Sequence, residues 1–293
     1  MRYRVLHKTE YEYAEPVSIC HSTAHLQPRD TPTQSCAMSV VTVEPQPDTT
    51  SGSKDYFGND VMHFAVQRSH RKLTVTSSSV VEIRIDRLAV QSPGPTWEMV
   101  RDALSGPARH EHVDATQFLY PSLMVRPSAE MRAYALESFT FNRPMLAACA
   151  DLTRRIFRDF KYDKEATNVA TPIEQVWAKK RGVCQDFAHV QIACLRSLGL
   201  PARYVSGYLL TRPPPGKERL IGADASHAWV SVYCIQSGWV DFDPTNDVVP
   251  WDRHITLAWG RDFGDVSPIR GVILGGGQHT VAVAVDVEPQ MAE

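Results

Sequence analysis

At 293 residues, with 43% hydrophobic and 22% charged side chains, the chain has the composition of an ordinary globular protein and the length for about two domains. Its 31 Lys and Arg nearly balance 33 Asp and Glu, for a formal net charge of −2, which excludes the strongly basic footprint of a nucleic-acid or anionic-membrane binder. No stretch approaches the ~18 consecutive apolar residues of a membrane-spanning helix, and the charged, alternating start MRYRVLHKTEYEY lacks the apolar centre of a signal peptide, so a cytoplasmic location is expected.

The first ~90 residues read as β structure. Between Tyr3 and Tyr13 the side chains alternate, with Tyr3, Val5, His7, Thr9, Tyr11 and Tyr13 on one face. Ala37–Val43, Val61–Val66 and Lys72–Ile85 are further strands, and Gly58-Asn59-Asp60 marks a turn. Short strands at near-regular spacing point to a β-sandwich or a strongly twisted sheet. The Pro- and Gly-bearing QSPGPT (91–96) reads as a linker, beyond which helices are expected over Ala129–Ser138 and Met145–Arg158, then a short extended piece at Phe160–Tyr162.

Thr171 as N-cap, Pro172 at the first helical position and Glu174 in the first turn start a helix that stops at Arg181-Gly182. A second, amphipathic helix is expected from Cys184 to Leu198, with Phe187, Val190, Cys194 and Leu198 on its apolar stripe and Gly199 closing it. Strands follow at Ala202–Leu210, Ser226–Cys234 and Trp239–Asp243, with RPPPG (212–216) as a loop and Gln236-Ser237-Gly238 as a three-residue turn. Gly275-Gly276-Gly277 is a turn before a strand at Thr280–Val287, since no phosphate-loop pattern surrounds it.

Six cysteines are too sparse for a disulfide framework. Cys184 stands out because a helix N-terminus favours an anion, lowering a thiol's pKa and offering N–H groups to an oxyanion. His227, at the start of SHAWVSVY, supplies the acid a departing amine needs. Asp243, ending WVDFDP, would orient that imidazole. The spacing 243 − 227 = 16 is even, so an odd-numbered loop puts both on one face, but Asp241 then shares that face and rivals Asp243. Gln185, Trp229 and Trp239 are candidates for the oxyanion site and cleft. Each residue alone also fits a structural role: a buried cap-region thiol, a half-buried strand histidine, a solvated strand-end acid, core tryptophans. Their order along the chain is what favours chemistry. Cys184, His189 and His227 lack a metal-ligand spacing, so no metal or other cofactor is expected, and His189 reads as a packing residue. Arg253, His254, Arg261 and Asp262 follow closely, as cleft residues or surface ion pairs.

GVCQDFAH around Cys184, SHAWVSVY around His227 and GWVDFDPTN around Asp243 resemble the transglutaminase-like superfamily, with the Cys-His-Asp logic of papain-like proteases. ACLRSLGLPARYVSGYLL (193–210), DRHITLAWGRDFGDVSP (252–268) and DYFGN (55–59) resemble its bacterial members with an N-terminal β domain. The resemblance implies an α+β protein, with an N-terminal β-sandwich-like domain (1–90) and a linker and helical segment (91–150). A transglutaminase-like catalytic core of helices on an antiparallel sheet (151–250) follows, then a C-terminal extension packing on either (251–293). It also implies thiol acyl-enzyme chemistry on a peptide or protein substrate bearing a carboxamide or peptide bond; the charge balance already left nucleic acid and membrane out as partners. The alternatives from other classes are a catalytically silent module that keeps the fold and a docking partner for another enzyme.

Overall fold

The computed structural model describes residues 1–84, 94–106, 112–211 and 225–290. The loop expected at 212–216 and residues 91–93 of the expected linker lie outside them. The N-terminal region is built on one strand, β1 (Arg2–Ala24), whose alternation buries Tyr3, Val5, His7, Thr9 and Tyr13. Around it run β2 (Gln34–Glu44), β3 (Thr49–Lys54), β4 (Asp60–Val66) and β5 (His70–Ile83), in the order β2-β5-β1-β4-β3. The first half of β1 pairs with β5 and the second with β4, with a register shift between Glu12 and Val17. Tyr13, Leu73 and Val75 share one apolar cluster with Val17, Phe64 and Val66, so this strand-rich region is a single sheet with its own core, where two packed sheets were expected.

Beyond the sheet come α1 (Trp97–Ser105), α2 (Val113–Thr116), α3 (Ala129–Ser138) and α4 (Met145–Asp159). Thr96, at the end of the expected linker, caps α1 by accepting from Met99 N. A two-residue strand, β6 (Lys161–Tyr162), lies parallel to β7 (Arg181–Gly182), with α5 (Ile173–Lys179) between them. The expected start of α5 shifts by one residue: Pro172 is itself the N-cap and Ile173 the first helical position. Thr171 Oγ1 is engaged instead by Asn168 N in the preceding loop. Helix α5 ends at Lys179, just ahead of the expected stop at Arg181-Gly182, and its C-cap Lys180 holds a left-handed φ of 51° with its ammonium over the Trp177 ring.

The second region is built on α6 (Cys184–Ser197), packed on a four-stranded antiparallel sheet of β8 (Ala202–Leu209), β9 (Ala225–Cys234), β10 (Gly238–Phe242) and β11 (His254–Gly260), in the order β10-β9-β8-β11. The expected amphipathic character of α6 does not hold. Gln185, Asp186, His189, Gln191 and Arg196 are buried along with its apolar stripe, because α3, α4, α5, β8 and β9 surround the helix. Each of these side chains makes at least one hydrogen bond, Gln191 through Nε2 to Thr153 Oγ1 and Arg196 to the carbonyls of Ala202 and Arg261. Gly199, at φ 76°, follows the Leu198 C-cap as expected.

The C-terminal segment divides between the two regions. β11 completes the core sheet, α7 (Phe263–Val266) follows, and β12 (Ile269–Gly275) and β13 (His279–Gln290) return to pair with β1. The turn between those two strands is Gly275-Gly276-Gly277, all at positive φ, near Tyr13 and Val17. The outer edge of β11 is closed by two side-chain amides of the N-terminal region. Gln34 exchanges two 2.8 Å hydrogen bonds with the Thr256 backbone, and Asn59 bonds Trp259 O at 2.8 Å and Trp259 N at 3.0 Å. Asp55 of the DYFGN segment accepts from Asn59 N and Nδ2, fixing that amide.

Candidate active site

Cys184 is the first helical residue of α6 and is half-buried. Val183 before it has no side-chain oxygen to cap the helix, so the leading N–H groups of α6 stay available near the thiol. The turn is held from the side: Asp186 Oδ2 accepts from Val183 N at 2.8 Å and from Thr167 Oγ1 at 2.6 Å. Gly182 is required there, since a Cβ would collide with the Asp186 carboxylate.

β9 and β10 form the hairpin that carries the other two groups. Its loop is Ile235-Gln236-Ser237, one residue earlier than expected, with Gly238 at φ 67° paired to Cys234. The loop still has three residues, so the expected parity stands. Asp241 lies opposite Ser231. Asp243, one step beyond the last ladder pair, reaches diagonally to His227, whose Nε2 donates to Oδ2 at 2.8 Å. Asp241 takes a different part: it accepts from Trp229 Nε1 at 2.8 Å.

Asp243 is fully buried, and its carboxylate is saturated. Oδ1 accepts from Thr245 N and Asn246 N, closing the turn after β10, while Oδ2 accepts from His227, from Asn246 Nδ2 at 2.7 Å and from His254 Nε2 at 3.0 Å. Burial pushes its pKa up, but the bonds from His227 and His254 together outweigh that and hold it well below the usual carboxylate range. Cys184 lies close enough to the His227 ring to act on its charge. With Nε2 committed to Asp243, Nδ1 is the nitrogen left for it. Burial works against the imidazolium, yet the bonds to Asp243 and Cys184 raise the His227 pKa to about 10. The arrangement therefore keeps a proton on the imidazole that faces the thiol.

His227, Asp243 and His254 bring three donor atoms within 4.8 Å, the one cluster with such spacing among the described residues. Hydrogen bonds of 2.8 and 3.0 Å account for it. The sequence named His254 only as a cleft residue or surface ion-pair member, not as a partner of Asp243, and did not name Asn246 individually. His254 stands two strands from β9, and only the DPTN turn hinted at Asn246.

Two family descriptions match the chain: the bacterial transglutaminase-like N-terminal region over residues 3–82, and the transglutaminase-like superfamily over residues 133–244. An uncharacterised protein of Mycobacterium tuberculosis is 41% identical over 297 residues, covering 98% of this chain and 93% of its own. The chain belongs to the transglutaminase-like superfamily. A Mycobacterium leprae relative, also uncharacterised, is 33% identical over 98% of both chains. A protein-glutamine gamma-glutamyltransferase of Pseudomonas aeruginosa is 31% identical over 111 residues, 37% of this chain and 17% of that one. The crystal structure of a candidate cysteine protease from Cytophaga hutchinsonii has the same fold, with a TM-score of 0.77, 20% identity, and coverage of 100% of this chain and 92% of that one.

Within this transglutaminase-like core the remaining sequence-predicted residues fall as follows. Gln185 donates to Val169 O at 3.2 Å, tying α6 to the preceding loop. Trp229 is fully buried and lies near-parallel to His227, 6.1 Å between centroids. Trp239 sits four positions up β10 from Asp243, packed on Phe118 and Tyr233 with the Arg203 guanidinium over its ring. His189 is a packing residue: it lies against Tyr204, accepts from Phe263 N and is held near pKa 4 by burial. Asp262 caps α7, and Arg261 pairs with Asp265 at 2.9 Å. Of the other cysteines, Cys20, Cys36, Cys149 and Cys194 all have their thiol pKa pushed up by burial. No described helix is long and apolar enough to cross a membrane.

Proposed function

We propose that the chain is a cysteine-nucleophile acyl-transfer enzyme that acts on an amide or peptide bond through a thioester. The observation that carries this reading is the His227 ring, bonded to the buried Asp243 carboxylate and acted on by the Cys184 thiol at the start of α6. In the reaction, the Cys184 thiolate attacks the carbonyl carbon, and its proton resides on His227. The oxyanion of the tetrahedral adduct is met by backbone N–H groups at the start of α6. His227, oriented by Asp243, gives its proton to the departing amine, leaving a thioester on Cys184. Water or a primary amine, deprotonated by His227, then takes the acyl group.

The likeness to the Pseudomonas protein-glutamine gamma-glutamyltransferase makes a glutamine carboxamide the first substrate class to try. The test is mass spectrometry of the intact chain after incubation with a small glutamine-containing peptide. The expected result is an acyl adduct on Cys184 that is absent in Cys184→Ala and released faster by an added primary amine if transamidation is favoured. Iodoacetamide near neutral pH provides the control. If Cys184 is alkylated no faster than half-buried Cys36, the reading fails.

A further inference from the structure

Asp243 Oδ2 is shared by two imidazoles. His254, first residue of β11, has only 4% of its side chain exposed and donates from Nε2 at 3.0 Å. Because β8 lies between β9 and β11, strand pairing alone does not bring the two rings together. The segment from Asp243 to Arg253 does so, by crossing the end of the sheet. Trp229 lies against both rings, 30° from the plane of His227 and 79° from that of His254, and its own nitrogen is tied to Asp241. The other nitrogen of His254, Nδ1, is buried without a hydrogen-bond partner among the described residues. His254 lines a cavity of about 110 Å³ whose polar walls include Thr31, Gln34, Asp241 and Thr256, wide enough for water. Packing alone gives no reason for an imidazole here, since an aliphatic side chain would fill the space without stranding a nitrogen.

We infer that His254 is a positioning residue that acts through Asp243 on His227. The inference rests on the acyl-transfer reading above. By donating to Oδ2, His254 fixes the plane of the carboxylate and takes up part of its negative charge. Asp243 then holds the His227 proton less tightly than an unshared carboxylate would, which eases its transfer to a leaving amine. The ionisable groups around His254 are His227 on β9, Asp243 after β10, Asp241 on β10 and Arg84 after β5.

Three full-length variants test this: His254→Gln, whose amide reaches the position of Nε2, and His254→Asn and His254→Leu, which do not. The readout is the rate of Cys184 alkylation by iodoacetamide across pH, with thermal melts alongside. Because the carboxylate loses its fixed plane and the His227 ring its orientation, the expected result is a roughly tenfold fall in rate for the Asn and Leu variants. Their upper pH inflection, set by loss of the His227 proton, moves to higher pH. The Gln variant stays near the wild type in both. If His254→Leu does not fold, the Asn and Gln pair decides alone. A lower melting temperature with an unchanged profile, or equal profiles in the Asn and Gln variants, overturns the inference. Wild-type Cys184 that is no more reactive than the other thiols overturns the acyl-transfer reading itself, a result these substitutions do not produce.

Discussion

Asp243 accepts five hydrogen bonds while wholly buried, so the consequence of replacing it depends on what is kept. Asp243→Asn preserves shape and removes charge. Its amide can no longer accept from every donor, and the His227 imidazolium loses its counter-ion. Acyl-transfer activity is expected to fall roughly a thousandfold or more. Stability should follow pH accordingly. His227 has a raised pKa, so its contribution is complete below about pH 6.5 and is lost as pH rises through about 10. Asp243 has a lowered pKa, so its contribution is complete above about pH 3.8 and is lost as pH falls below that. Thermal melts of the wild type should show a plateau between these limits, and in Asp243→Asn the alkaline decline should begin nearer neutrality. At this scale Cys184 and His227 were legible because each starts a recognisable element. Asp243 and Asp241 were not separable, because two residues two apart on a strand share a face, and only the hairpin register distinguishes them. His254 was legible only as a neighbour in sequence, since its place depends on a strand order that local pattern does not encode.

Helix α6 illustrates what periodicity conveys and what it hides. The boundaries follow from the apolar spacing and Gly199, but burial on all sides does not, because the polar residues that looked like a solvent face bond to groups inside the protein. The same limit applies to β3, whose TTSGSK is exposed throughout and carries no alternation to read, and to α1 and β12, which sequence patterning did not single out. The start of α6 depends on one close approach, between Gly182 and the Asp186 carboxylate. Gly182→Ala should displace that carboxylate from Val183 N and Thr167, destabilise the chain by about 1–3 kcal/mol in denaturant titration, and slow alkylation of Cys184. Unchanged alkylation with lost stability would mean that the helix start tolerates the shift.

Across the whole molecule, the N-terminal region and the core share one large apolar cluster, in which Tyr3, Val5, Val285 and Val287 meet residues of α6 and β9. His7 adds a buried 2.9 Å hydrogen bond to Tyr208. The β character of the first region could be read from alternation, but the return of β12 and β13 to β1 could not, because partners about 245 to 290 residues apart leave no local trace. The link to the site runs through β11, since His254 begins the strand that Gln34 and Asn59 hold at its outer edge. Gln34→Ala with Asn59→Ala should cost about 1–3 kcal/mol per amide in denaturant titration, because the β11 backbone groups lose buried partners. It should also lower Cys184 alkylation although neither residue touches the thiol.

The two amides have a wider consequence. The outer edge of β11 presents backbone donors and acceptors that would otherwise recruit a strand from a second molecule. By taking those positions, Gln34 and Asn59 act as a guard against polymerisation. A core parted from its N-terminal partner is therefore expected to stick to itself along that edge, so the DYFGN segment safeguards solubility as well as shape.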